Sequence, residues 1–99
     1  MLAVILTTVA FSRISRPAGW LFLDEDNDGY EWDDGGALGL DAYEGDGLAY
    51  SASYINDVGA LTPDNWLISP ALEIGTDSEL HFWYAAQDTS YPAEHFAVL

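Results

Sequence analysis

Cysteine and lysine are both missing from the 99 residues, and Arg13 and Arg16 are the only strongly basic side chains. Without cysteine there is no disulfide, no zinc–thiolate site and no thiol nucleophile. Without lysine there is no Schiff-base chemistry. From Pro17 onward only His81 and His95 could carry positive charge, against 17 Asp and Glu in the chain. Such a surface repels phosphate backbones and anionic membranes, which argues against a nucleic-acid partner and against direct membrane insertion. The nucleophile-elbow pattern G-x-S-x-G and the zinc pattern H-E-x-x-H are absent too. Any two of the 17 acids could be proposed as a glycosidase pair, so that proposal has little content.

Long hydrophobic runs are also lacking. Residues 1–11 are mostly apolar, but they are too short to span a bilayer as a helix. They lack the basic start and small-residue cleavage site of a secretory signal. Residues 1–17 are therefore set apart as an N-terminal segment, a first strand or a degenerate signal, and the domain proper is expected over residues 18–99.

What remains is apolar, aromatic and acidic. Hydrophobic residues make up 49%, enough for a small core, with four Trp, six Tyr and four Phe. Short apolar or alternating runs are separated by Gly, Pro, Asp and Asn, which is an all-β pattern. Strands are expected over residues 20–23, 48–54, 66–68 and 80–86, with another beginning at 95–99 and loops over 24–47 and 56–65. The class is an antiparallel sandwich. Because residues 96–99 end inside an apolar run, the domain is expected to be cut short at its C-terminus.

Ten of the 17 acids lie between Asp24 and Asp46. A charge run is ordinarily a solvated face, but Asp24-Glu25-Asp26-Asn27-Asp28-Gly29 matches the opening of a D-x-D-x-D-G calcium loop. Alternate carboxylates fall on one side of a tight turn, the Tyr30 carbonyl can add an oxygen, and Gly29 permits the sharp bend. In an EF-hand the twelfth position is a bidentate Glu; here it is Gly35, and the flanks read as strands. The pattern thus indicates Ca2+ held by a loop of a β-protein, the alternative being an acidic loop without metal. Glu94, after Tyr91-Pro92-Ala93, is a further candidate ligand or an ordinary loop acid. Tyr43 and Tyr91 lie in loops where packing does not claim them, and they are the candidate ligand-binding aromatics. Trp20, Trp32, Trp66 and Trp83 could form a sugar-stacking platform, but Trp on strands is more often core.

Several segments together carry a resemblance. Trp20, the acidic hexapeptide and Trp32 form one; Ser51-Ala52-Ser53-Tyr54-Ile55-Asn56 another. Gly59-Ala60-Leu61-Thr62-Pro63-Asp64-Asn65-Trp66-Leu67-Ile68-Ser69-Pro70 follows, then Leu80-His81-Phe82-Trp83 and Tyr91-Pro92-Ala93-Glu94-His95-Phe96. In this order they resemble the cleaved adhesin domain family of gingipain-type proteases and related haemagglutinins of Bacteroidetes. More distantly they look like the MAM domain of animal cell-surface proteins. The resemblance implies a jelly-roll β-sandwich, galactose-binding or MAM-like, with structural calcium. It implies a non-catalytic adhesion module of a secreted or cell-surface protein. Its partners would be host extracellular proteins or glycans and other domains of the parent polypeptide. The alternative role is a structural spacer in a secreted protease or glycan-degrading enzyme.

Overall fold

The structure is a computed structural model that describes residues 2–6, 17–35, 39–45 and 47–99. Among the described residues its strands are β1 (Leu2–Leu6), β2 (Leu21–Asp24), β3 (Asp33–Asp34), β4 (Ala49–Ser51), β5 (Tyr54–Ile55), β6 (Gly59–Ala60), β7 (Asn65–Ile68) and β8 (Phe82–Ala86). The all-β class expected from the spacing of apolar runs is the class observed. Among the described residues no helix is long and apolar enough to cross a membrane.

A four-stranded sheet has the order β3-β4-β1-β8, and two ribbons are formed by β2 with β7 and by β5 with β6. Within residues 1–17, set apart from the domain by their sequence, Leu2–Leu6 form a central strand of that sheet. They pair antiparallel with β4 through Leu2↔Ser51 and with β8 through Leu2↔Ala86 to Leu6↔Phe82.

The β2–β7 ribbon is in register from Leu21↔Ile68 to Asp24↔Asn65. Period-2 alternation sends Phe22 and Leu67 toward the core, while Leu21, Leu23, Trp66 and Ile68 stay exposed. Trp32 and Ala49 form the buried centre, with Trp20, Phe22, Leu67 and Phe82 packed against it. Leu48 nucleates a second cluster with Leu40, Ala42 and Tyr50. Gly35 permits this second cluster: a Cβ there would lie 2.6 Å from Leu48 Cδ1.

Three segments differ from the expected strands. The run 48–54 divides, because Ser51 and Ala52 are both buried and alternation breaks between them. The stretch 56–65, expected to be loop, supplies the turn and second strand of a short hairpin, Tyr54↔Ala60 and Ile55↔Gly59, turning at Asp57 with φ of 67°. The Val58 N–H donates to the Ile55 carbonyl at 3.1 Å, and Asp tolerates the left-handed conformation that this turn requires. Residues 95–99 form no strand; among the described residues no neighbour supplies the ladder that a strand needs.

Candidate metal loop and aromatic surface

The loop after β2 is organised by its own carboxylates. The Asp28 and Gly29 N–H groups donate to Asp24 Oδ1 and Oδ2 at 3.3 and 2.8 Å. The Tyr30 N–H donates to Asp28 Oδ1 at 2.8 Å. Asn27 and Gly29 take positive φ of 57° and 88°, which bends the chain back over the Asp24 side chain. One carboxylate oxygen from each of Asp24, Asp26 and Asp28 then falls within 4.8 Å of the others.

Three like charges this close repel one another unless a cation lies between them. Asp28 Oδ2 is buried and accepts no hydrogen bond from the protein. A buried carboxylate oxygen without a donor is costly, and a hard cation is what its lone pairs suit. Oxygens that already accept one N–H keep a second lone pair, so the donor set fits calcium. The loop's exposed side is tied to the residue just before β7, where the Asp64 N–H donates to Asp26 Oδ1 at 3.1 Å. The Glu25 N–H donates to the Asp64 carbonyl at 3.0 Å.

Asn65 carries the inner side of the loop. Its Nδ2 donates to the Tyr30 carbonyl at 2.7 Å and to Ser51 Oγ at 2.9 Å. The Asn65 carbonyl accepts from Trp32 Nε1–H at 3.0 Å. Sequence reasoning did not single out Asn65. Its only local signal is a polar side chain at the start of a strand otherwise apolar, Asn65–Ile68.

Glu94 is placed elsewhere in the network. Its Oε1 accepts from Ser53 Oγ at 2.7 Å, and it is not one of the carboxylates gathered at the Asp triplet. Burial, the largest influence, opposes its ionisation. The hydrogen bond from the Ser53 hydroxyl and the charge of His95 act the other way, and the carboxyl is held below the usual Glu range. His81 is exposed and lies 2.9 Å from Glu79.

Of the aromatics, Trp32 is buried, whereas Trp66 and Trp83 are exposed on their ribbon and sheet. Tyr43 is 66% exposed, and its ring centroid lies 4.3 Å from that of Trp83. Tyr91 is 78% exposed. Phe82, Tyr84 and Phe96 form a cluster, with Tyr84 and Phe96 centroids 4.9 Å apart. Beside Trp83, an open depression of about 450 Å³ is lined by Glu44, Leu80, His81, Phe82 and Trp83.

Fold and site together define a small all-β module with an acidic loop suited to a hard cation and a surface rich in aromatic rings. Comparison with known proteins gives the family. The Cleaved Adhesin Domain model matches residues 4–99, so the match also takes in most of β1. The chain belongs to that family. It is 46% identical over 83 residues to Gingipain R1 and to Lys-gingipain, both from Porphyromonas gingivalis, covering 83% of this chain. It is 41% identical over 85 residues to Hemagglutinin A of the same organism. The chain spans only about 5% of the length of these gingipains and 4% of that haemagglutinin. No solved structure matches.

Proposed function

We propose that this chain is a non-catalytic, calcium-stabilised adhesion module of a secreted or cell-surface protein, its sheets forming part of a jelly-roll β-sandwich. The observation that carries the calcium reading is the approach of Asp24, Asp26 and Asp28 to within 4.8 Å, with Asp28 Oδ2 buried and lacking a donor. The three carboxylates and the Tyr30 carbonyl would hold the ion, and Glu94, engaged with Ser53, would act apart from it. The ion would supply charge neutralisation and rigidity to the loop, not chemistry.

Adhesion rests on family membership and on the similarity to Hemagglutinin A. The partner would be a host extracellular protein or glycan, met by exposed rings, with Tyr43 and Tyr91 as the contact residues. Rings bring large contact area at small entropic cost. Other domains of a parent polypeptide would be permanent neighbours. The second reading, a spacer domain of a secreted protease, is favoured by the small share of each gingipain that the chain matches.

The test has two arms. Thermal unfolding of the chain in millimolar calcium and in EDTA should differ, and coincident midpoints would remove the metal. Binding to a panel of fibrinogen, haemoglobin and immobilised glycans should be saturable; absence of binding across host proteins and sugars would leave the spacer.

A further inference from the structure

Besides its backbone ties through Asp64, the loop that gathers the carboxylates is joined to the core by one neutral side chain, Asn65. Asn65 is the first residue of β7 and the register partner of Asp24. Its amide orientation is determined by chemistry: Nδ2 faces the Tyr30 carbonyl at 2.7 Å, and that carbonyl can only accept. Turning the amide over would set two oxygens against each other. The same nitrogen reaches Ser51 Oγ at 2.9 Å, and Ser51 is buried in β4. The Asn65 main-chain carbonyl takes the Trp32 indole N–H. One residue therefore joins the end of the acidic loop, the buried strand β4 and the central tryptophan.

We propose that Asn65 is a positioning residue for the cation, holding the Tyr30 carbonyl and the Asp28–Tyr30 turn in ligating geometry. The proposal rests on the calcium reading above. Asn65 need not touch the ion. With Nδ2 occupied by Tyr30 and Ser51, it fixes where the Tyr30 carbonyl points, and through the Tyr30 N–H to Asp28 Oδ1 bond it fixes the rotation of the Asp28 carboxylate. Partners that orient metal ligands without binding the metal change affinity by roughly 10- to 100-fold when removed.

Asn65→Leu keeps the volume, adds no charge and removes both donors; Ser51→Ala releases the amide from its anchor and leaves Tyr30 untouched. For wild type and both variants, the calcium dissociation constant is measured by titration calorimetry and the thermal midpoint in EDTA by circular dichroism. Asn65→Leu is expected to weaken calcium at least about tenfold, with Ser51→Ala shifted the same way by less. Loss of midpoint in EDTA with calcium affinity unchanged in both variants would make Asn65 merely structural and overturn the proposal. Should Asn65→Leu not fold, Ser51→Ala decides: weakened calcium supports the proposal, and unchanged affinity overturns it. If wild type takes up no calcium while folded, the calcium reading itself fails and the positioning role goes with it.

Discussion

The indole N–H of Trp32 donates to the main-chain carbonyl of Asn65 at 3.0 Å, joining the buried centre of the core to the strand that faces the acidic loop. Trp32 thereby fills the core and satisfies a backbone acceptor with one side chain. Trp32→Phe should lose the hydrogen bond and part of the ring volume, destabilising by about 1–3 kcal/mol. Trp32→Ala should cost about 3–5 kcal/mol by opening a cavity. Urea denaturation distinguishes the two: a Trp32→Phe variant as stable as wild type would show that the hydrogen bond contributes nothing, and equal losses in both variants would show that the cavity adds nothing.

Calcium at ten times its dissociation constant should stabilise the chain by about 1.4 kcal/mol. Asp28→Asn keeps the shape of the side chain but removes the charge on the buried oxygen that lacks a donor. The calcium-induced rise in midpoint should be largely abolished, while the midpoint in EDTA stays near wild type or rises as repulsion with Asp24 and Asp26 is relieved. An undiminished calcium response in Asp28→Asn would place the ion elsewhere.

Tyr50 should make stability sensitive to alkali. Burial, then the charges of Asp33 and Asp34 across the β3–β4 pair, raise its hydroxyl above the ordinary value. A folded pKa above the unfolded one means that the folded state holds the proton longer. This contribution is complete below the unfolded value near 10 and is lost as pH rises through the folded one. Asp33→Asn should bring the Tyr50 titration down toward the ordinary tyrosine value. Ultraviolet absorbance titration against a Tyr50→Phe blank reads this directly, and no movement would remove the Asp33 charge as a cause.

Glu94 acts at the opposite limit. Its carboxyl is held below the unfolded value, so its contribution is present above that value and is lost as pH falls through the folded one. Ser53→Ala removes the donor at 2.7 Å. The variant's stability curve should fall below wild type at neutral pH and converge with it in acid. A constant offset at every pH would assign the loss to packing.

Tyr91→Ala should lower affinity for the host ligand without changing the midpoint, because its ring is largely exposed. Tyr43→Ala should lower both, because its ring lies against Trp83. Surface plasmon resonance with parallel melts separates these effects. Full binding by both variants, with the fold intact, would assign the contact to other residues.

The local features were the ones legible in sequence. The Asp24–Asp28 alternation is a short-range pattern whose geometry follows from one tight turn, and Pro70 ends the β7 segment soon after Ile68, as a residue without an N–H does. The β5–β6 hairpin was obscured because Gly59-Ala60 has little strand propensity; its only signal was Asn56-Asp57 before a glycine. Asn65 was illegible because its partners Tyr30 and Ser51 come from other segments, and no spacing rule links them. Leu2–Leu6 left a first strand, a segment outside the domain and a degenerate leader all open, since an apolar run acquires its role only from the strands that flank it.

The position of β1 between β4 and β8 gives the molecule an order of assembly in time. On a ribosome adding roughly 5–20 residues per second, β1 would be made on the order of 4–15 s before β8. For that interval one edge of an apolar strand has no ladder to join. The first strand is thus the last to be fully paired, and a nascent chain of this kind depends on whatever shields Leu2–Leu6 until Phe82–Ala86 arrives.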